Sequence, residues 1–347
     1  PGSQRKITPA TRRESSVHLP IALLSVGILF GMTTQTYQQR GESVYRSARR
    51  VARRVVLAWY RTKPAKALYS SKAALVLPRR GFHPARAYRS TSKKNAQQRF
   101  GQTHTFTFFI GYWRSGHTAL AAAMNGHPNV LIAHELDFFR WLALNVSPGH
   151  LLRLIVERDR WFEKRDRSWE TYSYRVPRGT YEACATQVVG DKMAAITTQR
   201  LLGRPELLTQ LRSKFDFRIR VINVVRNPFD NIATAHRKSD MSLDETIDRY
   251  RQLSTGVRQV TNQLQTSELI TIRHDELTTS AESELKRVWE YLCLPRDDEY
   301  LPKAAAFIKP PSRRARDGIA WSDDQIQAVH SIIQEFDHLD GYHFNSE

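Results

Sequence analysis

From residue 104 to the end of the chain, short apolar runs alternate with longer segments in which apolar residues recur at helical spacing. The apolar runs predict strands at residues 105–113, 130–133, 187–190, 218–225 and 269–272. The helical spacing predicts helices at residues 117–125, 151–160, 197–211, 242–264, 282–291 and 322–336. Because strands and helices alternate, the pattern predicts an α/β domain with a central, mainly parallel sheet flanked by helices on both faces.

One segment before this domain is apolar enough to enter a membrane. Residues 19–32, LPIALLSVGILFGM, carry no charge, and fourteen helical residues span about 21 Å against a hydrocarbon core of about 30 Å. With its polar flanks the segment reaches residues 17–34, which fits a signal-peptide core or a short signal anchor. The lack of a small-x-small cleavage site just after it favours the anchor. Because residues 37–100 are rich in Arg, Ser and Ala, an organellar transit peptide and a plain basic tail remain as alternatives.

The positive charge is confined to the first part of the chain. The whole chain has 53 Lys and Arg against 34 Asp and Glu, a net charge of +19, and residues 1–100 hold 21 of the basic residues and two of the acidic ones. The remaining residues are therefore balanced, which argues against nucleic-acid binding by the domain. The expected organisation is a basic segment at residues 1–16, the candidate anchor at 17–34, a basic stem at 35–103 and the folded domain at 104–347.

Two cysteines, Cys184 and Cys293, are too few for a disulfide scaffold or a four-thiolate metal site. They allow at most one disulfide, and two ordinary thiols are the simpler interpretation. The absence of a His/Cys cluster in the sequence gives no reason to expect a metal.

The first motif is GYWRSGHT, residues 111–118, between a predicted strand and a predicted helix. Two glycines bracket a turn, and the following helix presents free N–H groups and its positive dipole end, an arrangement that binds phosphate. The spacing is close to that of an NTPase P-loop, but His117 stands where the P-loop has its Lys, which argues against NTPase or kinase chemistry. The cation of this loop is Arg114.

The second motif is VVRNPFDNIATAHR, residues 224–237. A predicted strand delivers Arg226 at its end, and Thr234 follows eight residues later, two turns into a predicted helix that Pro228 begins. A guanidinium and a hydroxyl in this relation form a plausible second phosphate site. The alternative is that Arg226 pairs with Asp230 and Thr234 bonds within its own helix.

Together the two motifs resemble those of the PAPS-dependent sulfotransferase family. Its 5′-phosphosulfate loop, Pro-Arg/Lys-Ser/Thr-Gly-Thr-Thr, corresponds to residues 113–118, and its 3′-phosphate motif corresponds to residues 224–230 with Thr234. Residues 189–192, 272–277 and 311–321 are similar to further segments of the family, in the same order. Trp113 and His117 depart from the family pattern. The resemblance implies a P-loop-like sulfotransferase fold, PAPS as co-substrate with PAP as product, and no metal.

The resemblance also implies roles for particular residues. Glu135, beyond the pair His127-Pro128, corresponds to the family's catalytic Glu, with His134 as the competing base. Lys192 would act near the transferred group, unless it is a surface Lys beside its neighbouring Asp. The residues implied in PAPS binding are Arg114, Ser115, Gly116, His117, Thr118, Arg226 and Thr234, with Arg313 and Arg314 in a closing loop.

The acceptor is expected to carry a hydroxyl, on a glycan, a peptide tyrosine or a small molecule. Related enzymes suggest a single-pass type II location in the Golgi membrane, through residues 17–34, and the alternative location is a plastid or mitochondrion. The alternative functions are a P-loop-like nucleotide kinase and a non-enzymatic, membrane-tethered basic binding protein.

Overall fold

A computed structural model of the chain describes residues 100–169, 172–176, 186–295, 297–311 and 313–345. The predicted basic segment at residues 1–16, the candidate anchor at 17–34 and nearly all of the stem at 35–103 lie outside the described residues. Cys184 lies outside them as well.

The described residues form two sheets and eleven α-helices. The strands are β1 Thr105–Gly111, β2 Val130–His134, β3 Ser168–Trp169, β4 Tyr172–Ser173, β5 Val188–Lys192, β6 Arg218–Val225 and β7 Leu269–Arg273. The helices up to β6 are α1 His117–Asn125, α2 Phe138–Ala143, α3 Pro148–Glu163, α4 Ala195–Gly203 and α5 Glu206–Lys214. The later helices are α6 Pro228–Arg237, α7 Leu243–Thr261, α8 His274–Thr279, α9 Ala281–Tyr291, α10 Tyr300–Phe307 and α11 Asp323–Glu335.

The central sheet has five strands in the order β2-β5-β1-β6-β7, and all four neighbouring pairs are parallel. The predicted α/β fold with a parallel sheet is therefore confirmed. All seven residues of β1 are buried, as expected for a central strand covered on both faces. β3 and β4 form a separate antiparallel hairpin.

Helices on both faces bury the sheet. On one face α1, α9 and α10 surround an apolar core that includes Phe109, Met124, Ile272 and Trp289. α4 and α7 contact each other and β1, while α3 lies against β2. Because every strand of this sheet runs in the same direction, the loops that follow β1, β2, β5, β6 and β7 all lie at one edge, where ligands of such folds bind.

Two of the differences between the predicted elements and the structure have a clear physical cause. The helix predicted at residues 197–211 is two helices, α4 and α5, because Pro205 starts the second one and has no N–H to continue the first. The strand predicted at residues 105–113 ends at Gly111, whose φ of 111° takes the chain out of the extended conformation.

The structure contradicts the prediction of a single-pass type II Golgi membrane protein. Over the described ranges, no helix is both long enough and apolar enough to cross a membrane. The longest of them, α7, has 19 residues but carries charged side chains such as Asp248 and Arg249, which oppose insertion.

Candidate active site

The loop between β1 and α1 has a backbone that requires glycine at both ends. Gly111, Arg114 and Gly116 have φ values of 111°, 64° and 94°. A Cβ atom at Gly111 would lie 2.8 Å from Oδ1 of Asn223, and one at Gly116 would lie 2.6 Å from the His274 ring. Gly116 is the N-cap of α1. The loop therefore brings the unsatisfied N–H groups and positive dipole end of that helix to the ligand-binding edge of the sheet.

The side chains within this loop have different environments. The Ser115 hydroxyl is buried and accepts a hydrogen bond from Nδ2 of Asn231 at 2.7 Å. The His117 ring turns back toward β1, with Nε2 3.3 Å from the Ile110 carbonyl oxygen, and burial lowers the pKa of His117 to about 3. It is therefore uncharged at neutral pH. Ser115 and His117 are buried, and Thr118, the next residue of α1, is half-buried.

The second motif lies beside this loop. Nη1 of Arg226 donates to the carbonyl oxygen of Arg114 at 3.3 Å and to the Thr234 hydroxyl at 3.2 Å. Thr234 in turn donates to the Asp230 carbonyl oxygen at 2.8 Å. Burial lowers the pKa of Arg226, which identifies a guanidinium that has lost much of its hydration and would gain from a bound anion.

The Asp230 carboxylate is engaged elsewhere. It accepts from the backbone N–H of Arg316 at 2.9 Å and from Nη1 of the same residue at 2.6 Å. Arg316 is buried in the turn before α11. Of the alternative interpretation, the structure therefore shows the Thr234 bond within its own helix but not the pairing of Arg226 with Asp230. Asp230 still favours the charged form of Arg226.

His274 is a further residue at this edge of the sheet. It follows β7 directly and its ring lies over Gly116. Burial, followed by the charge of Arg226, lowers the pKa of His274 to about 4. A neutral imidazole thus lies against Gly116 of the first loop, within electrostatic range of Arg226. His274 was not among the predicted site residues; the available signal was its position just beyond the end of a predicted strand.

Glu135 and Lys192 meet at the ends of β2 and β5. His134 pairs with Lys192 in the strand register, and the N–H of Glu135 donates to the Lys192 carbonyl oxygen at 3.0 Å. Nζ of Lys192 donates to Oε1 of Glu135 at 3.1 Å. The Lys192 side chain is 5% exposed and that of Glu135 is 29% exposed. Lys192 is therefore not a surface Lys, and Glu135 retains access to a ligand.

His134 has a different environment. Its ring stacks on Phe162 with a centroid distance of 4.0 Å and meets Trp169 edge-on at 4.6 Å. Its backbone carbonyl accepts from Nε of Arg158 at 2.6 Å. The ring also lines a small pocket shared with Thr118, Asn125, Phe162, Arg167 and Lys192. The His134 ring is therefore held in place by aromatic packing.

The two arginines predicted in the closing loop are on the surface. Arg314 pairs with Asp317 at 3.0 Å, both about half exposed, and Arg313 is also exposed. Their role in PAPS binding stays a prediction. The buried arginine of this region is Arg316, which the sequence analysis passed over because adjacent arginines look alike without burial information.

Metal-ligand chemistry is not apparent at this edge. Within the ranges that the structure covers, no group of three or more His, Cys, Asp or Glu side chains is arranged to hold a metal ion. Cys293 is an exposed free thiol.

Comparisons with protein-family models and with curated proteins find no match. Solved structures do match. The sulfotransferase domain of a Synechococcus olefin synthase is 14% identical, with a TM-score of 0.41 over 66% of this chain and 95% of that chain. A sulfotransferase from Alicyclobacillus acidocaldarius is 15% identical, with a TM-score of 0.40 over 69% of this chain and 95% of that one. A mouse sulfotransferase complexed with PAP is 12% identical, with a TM-score of 0.37 over 72% and 90% of the two chains. In each of these comparisons, the protein to which the chain is similar is a sulfotransferase.

Proposed function

We propose that this chain is a PAPS-dependent sulfotransferase, which moves a sulfuryl group from PAPS to a hydroxyl of an acceptor. The observation that carries the proposal is the contact between Lys192 and Glu135, Nζ to Oε1 at 3.1 Å. This pair lies at the same edge of the sheet as the two motifs for anion binding. A cation and a carboxylate beside two anion sites suit group transfer from a nucleotide with phosphate at both its 3′ and 5′ positions.

The residues fit such a nucleotide by their own chemistry. The N–H groups at the start of α1, together with Arg114, suit a 5′-phosphosulfate. Arg226 and Thr234 suit a 3′-phosphate, because the guanidinium is poorly hydrated and the hydroxyl is within 3.2 Å of it. Two separate sites match two separate phosphate positions, which a single P-loop does not provide.

Glu135 and Lys192 would have different roles in the transfer. PAPS, when bound, supplies the sulfuryl group and a phosphate leaving group. The Glu135 carboxylate would accept the proton of the acceptor hydroxyl as that oxygen attacks. Lys192 would keep a buried positive charge beside the reacting atoms, where negative charge increases in the transition state. The acceptor is a glycan, a peptide tyrosine or a small molecule with a hydroxyl.

One observation weighs against the kinase alternative. His117 stands where a P-loop has its Lys, and its ring is buried, turned away from the loop and uncharged at neutral pH. It therefore cannot supply the cation that a P-loop uses at the β- and γ-phosphates. The non-enzymatic alternative depends on the basic residues 1–99, which lie outside the described residues.

The test uses the full chain with sulfur-35-labelled PAPS and a panel of glycans, tyrosine peptides and phenols. We expect label to move to at least one acceptor class, and calorimetry to show tight binding of PAP but not of ATP. A chain that binds ATP and is indifferent to PAP would support the kinase instead. Binding of neither nucleotide, with no transfer, would support the non-enzymatic alternative.

A further inference from the structure

The turn that carries Glu135 has an unfavourable backbone conformation. Glu135 and Asp137 have φ values of 54° and 63°, in the left-handed region that costs a residue with a Cβ atom about 1–2 kcal/mol. Two such residues within three positions persist only where surrounding contacts hold them. The contacts that hold this turn are therefore candidates for a functional role.

Asp191 provides the first of these contacts from beneath the turn. Its Oδ1 accepts from the backbone N–H of Leu136 at 2.9 Å, and its Oδ2 accepts from that of Phe138 at 2.8 Å. The Asp191 side chain is buried. It directly precedes Lys192 in β5, so one strand end both fixes the turn and supplies the partner of Glu135.

Arg200 provides the second contact from α4. Its Nε and Nη2 donate to the two carboxylate oxygens of Asp137, at 2.9 Å and 2.6 Å. The Asp137 side chain is 3% exposed and that of Arg200 is 27% exposed. A planar, two-bond contact of this kind fixes orientation as well as distance. The residues that follow Glu135 in the turn are thus anchored to two different elements, β5 and α4.

We propose that Asp191 and Arg200 are positioning residues for Glu135, which hold its carboxylate against Lys192. Neither side chain is part of the two anion sites, so each acts through the turn. The inference rests on the proposed function for the role of Glu135. Proton transfer depends steeply on the position of the base, and a displacement of about 1 Å can reduce a rate about a hundredfold.

The test compares Asp191→Asn with the unmodified full chain, on the best acceptor of the panel. The new amide directs an NH₂ group at one of two backbone N–H groups, so the turn loses a bond without losing volume. We expect kcat to fall by about 10- to 100-fold, while the Kd for PAP changes by no more than about twofold. In a Glu135→Gln background, Asp191→Asn should reduce the remaining turnover no further, because its effect passes through Glu135.

Arg200→Gln tests the same proposal at a partly exposed position, where folding is less at risk. It should lower kcat by a smaller factor and leave PAP binding unchanged. The matched control is Arg204→Gln, just beyond α4, whose partner Glu206 is exposed; it should leave kcat unchanged.

Unchanged kcat in both variants would overturn the proposal, as would an equal loss with and without Glu135. If Asp191→Asn does not fold, Arg200→Gln decides. A wild-type chain that transfers no label overturns the proposed function itself, before any variant is made.

Discussion

Nη1 of Arg226 donates a hydrogen bond to the carbonyl oxygen of Arg114 across 3.3 Å, so the two candidate phosphate sites are in direct contact. A second link joins Nδ2 of Asn231, on α6, to the Ser115 hydroxyl at 2.7 Å. The loop after β1 and the start of α6 are therefore held in one arrangement. An anion bound at either site would therefore contact residues whose positions depend on the other site.

Replacement of Arg226 tests the second site. We expect Arg226→Ala to weaken PAP binding by about 10- to 150-fold, the equivalent of ~1.5–3 kcal/mol for hydrogen bonds to a charged group. Calorimetry measures the affinity. The control is Arg218→Ala, because Arg218 begins the same strand at the opposite end and is exposed. Equal affinities of the two variants would remove Arg226 from the site.

Thr234 offers a smaller contribution from the same site. Its hydroxyl accepts from Arg226 and donates its one proton to the Asp230 carbonyl oxygen. It would have to redirect that proton to a phosphate, so the phosphate gains only one neutral hydrogen bond. Thr234→Ala should reduce the free energy of PAP binding by about 0.5–1.5 kcal/mol. Thr234→Ser, which keeps the hydroxyl, should bind PAP as the unmodified chain does. If the serine and alanine variants lose the same affinity, the hydroxyl makes no contact with the ligand.

Glu135→Gln separates binding from turnover. The amide keeps the size of the side chain but cannot take a proton, so PAP affinity should stay and sulfuryl transfer should fall by about a hundredfold or more. Glu157→Gln is the control, since Glu157 pairs with Arg160 on α3. The measurements are PAP calorimetry and label transfer. Turnover retained by Glu135→Gln would exclude Glu135 as the base.

The fold could be predicted because the strands are almost uniformly apolar. β1 and β6 are buried along most of their length. Their sequences are therefore continuous apolar runs, which can be recognised without knowing which strands lie beside them. The break between α4 and α5 was missed, although Pro205 marked it, because the apolar spacing continues across the Pro. The helical spacing of apolar residues shows which face of a segment is buried, and a single proline does not change that spacing.

Candidate site residues could be predicted only where they belong to a local motif. Arg114, Arg226 and Thr234 have fixed spacing, and the structure brings them together. Asn231, His274 and Arg316 make contacts with residues 86 to 158 positions away in the chain, namely Ser115, Gly116 and Asp230. No local pattern encodes those contacts, because they depend on which strand ends become neighbours in the sheet.

We expect His274 to make PAP binding dependent on pH. Its pKa is lowered to about 4, first by burial and then by Arg226, while Asp275 and Asp230 oppose the shift. A phosphate beside the ring would raise that pKa, so binding should take up protons and the affinity should increase as the pH falls from 7 toward 5.

Calorimetry in two buffers of different ionisation enthalpy measures this uptake. His274→Gln should reduce the proton uptake. The phosphates of PAP also titrate, but their contribution is the same for the unmodified chain and for the variant. An identical proton uptake by the variant would show that the ring does not sense the bound anion.

His338 gives a pH dependence of stability outside the site. Its Nε2 lies 2.6 Å from the hydroxyl of Tyr112, and burial lowers its pKa to about 4 from an ordinary value of 6.5. Between these values the unfolded chain binds a proton that the folded chain does not. The stabilising contribution is therefore complete above pH 6.5 and is lost as the pH falls toward 4. Its size is at most about 3 kcal/mol.

Urea unfolding at pH 7.5, 6.0 and 5.0 measures this dependence. The unmodified chain should lose stability as the pH falls, and His338→Gln should lose less, because the glutamine amide does not titrate. Some dependence should remain in the variant, since His117 and His274 are also buried with lowered pKa values. Equal slopes for both proteins would mean that His338 is protonated alike in the folded and unfolded chain, and that the contact with Tyr112 does not depend on a neutral ring.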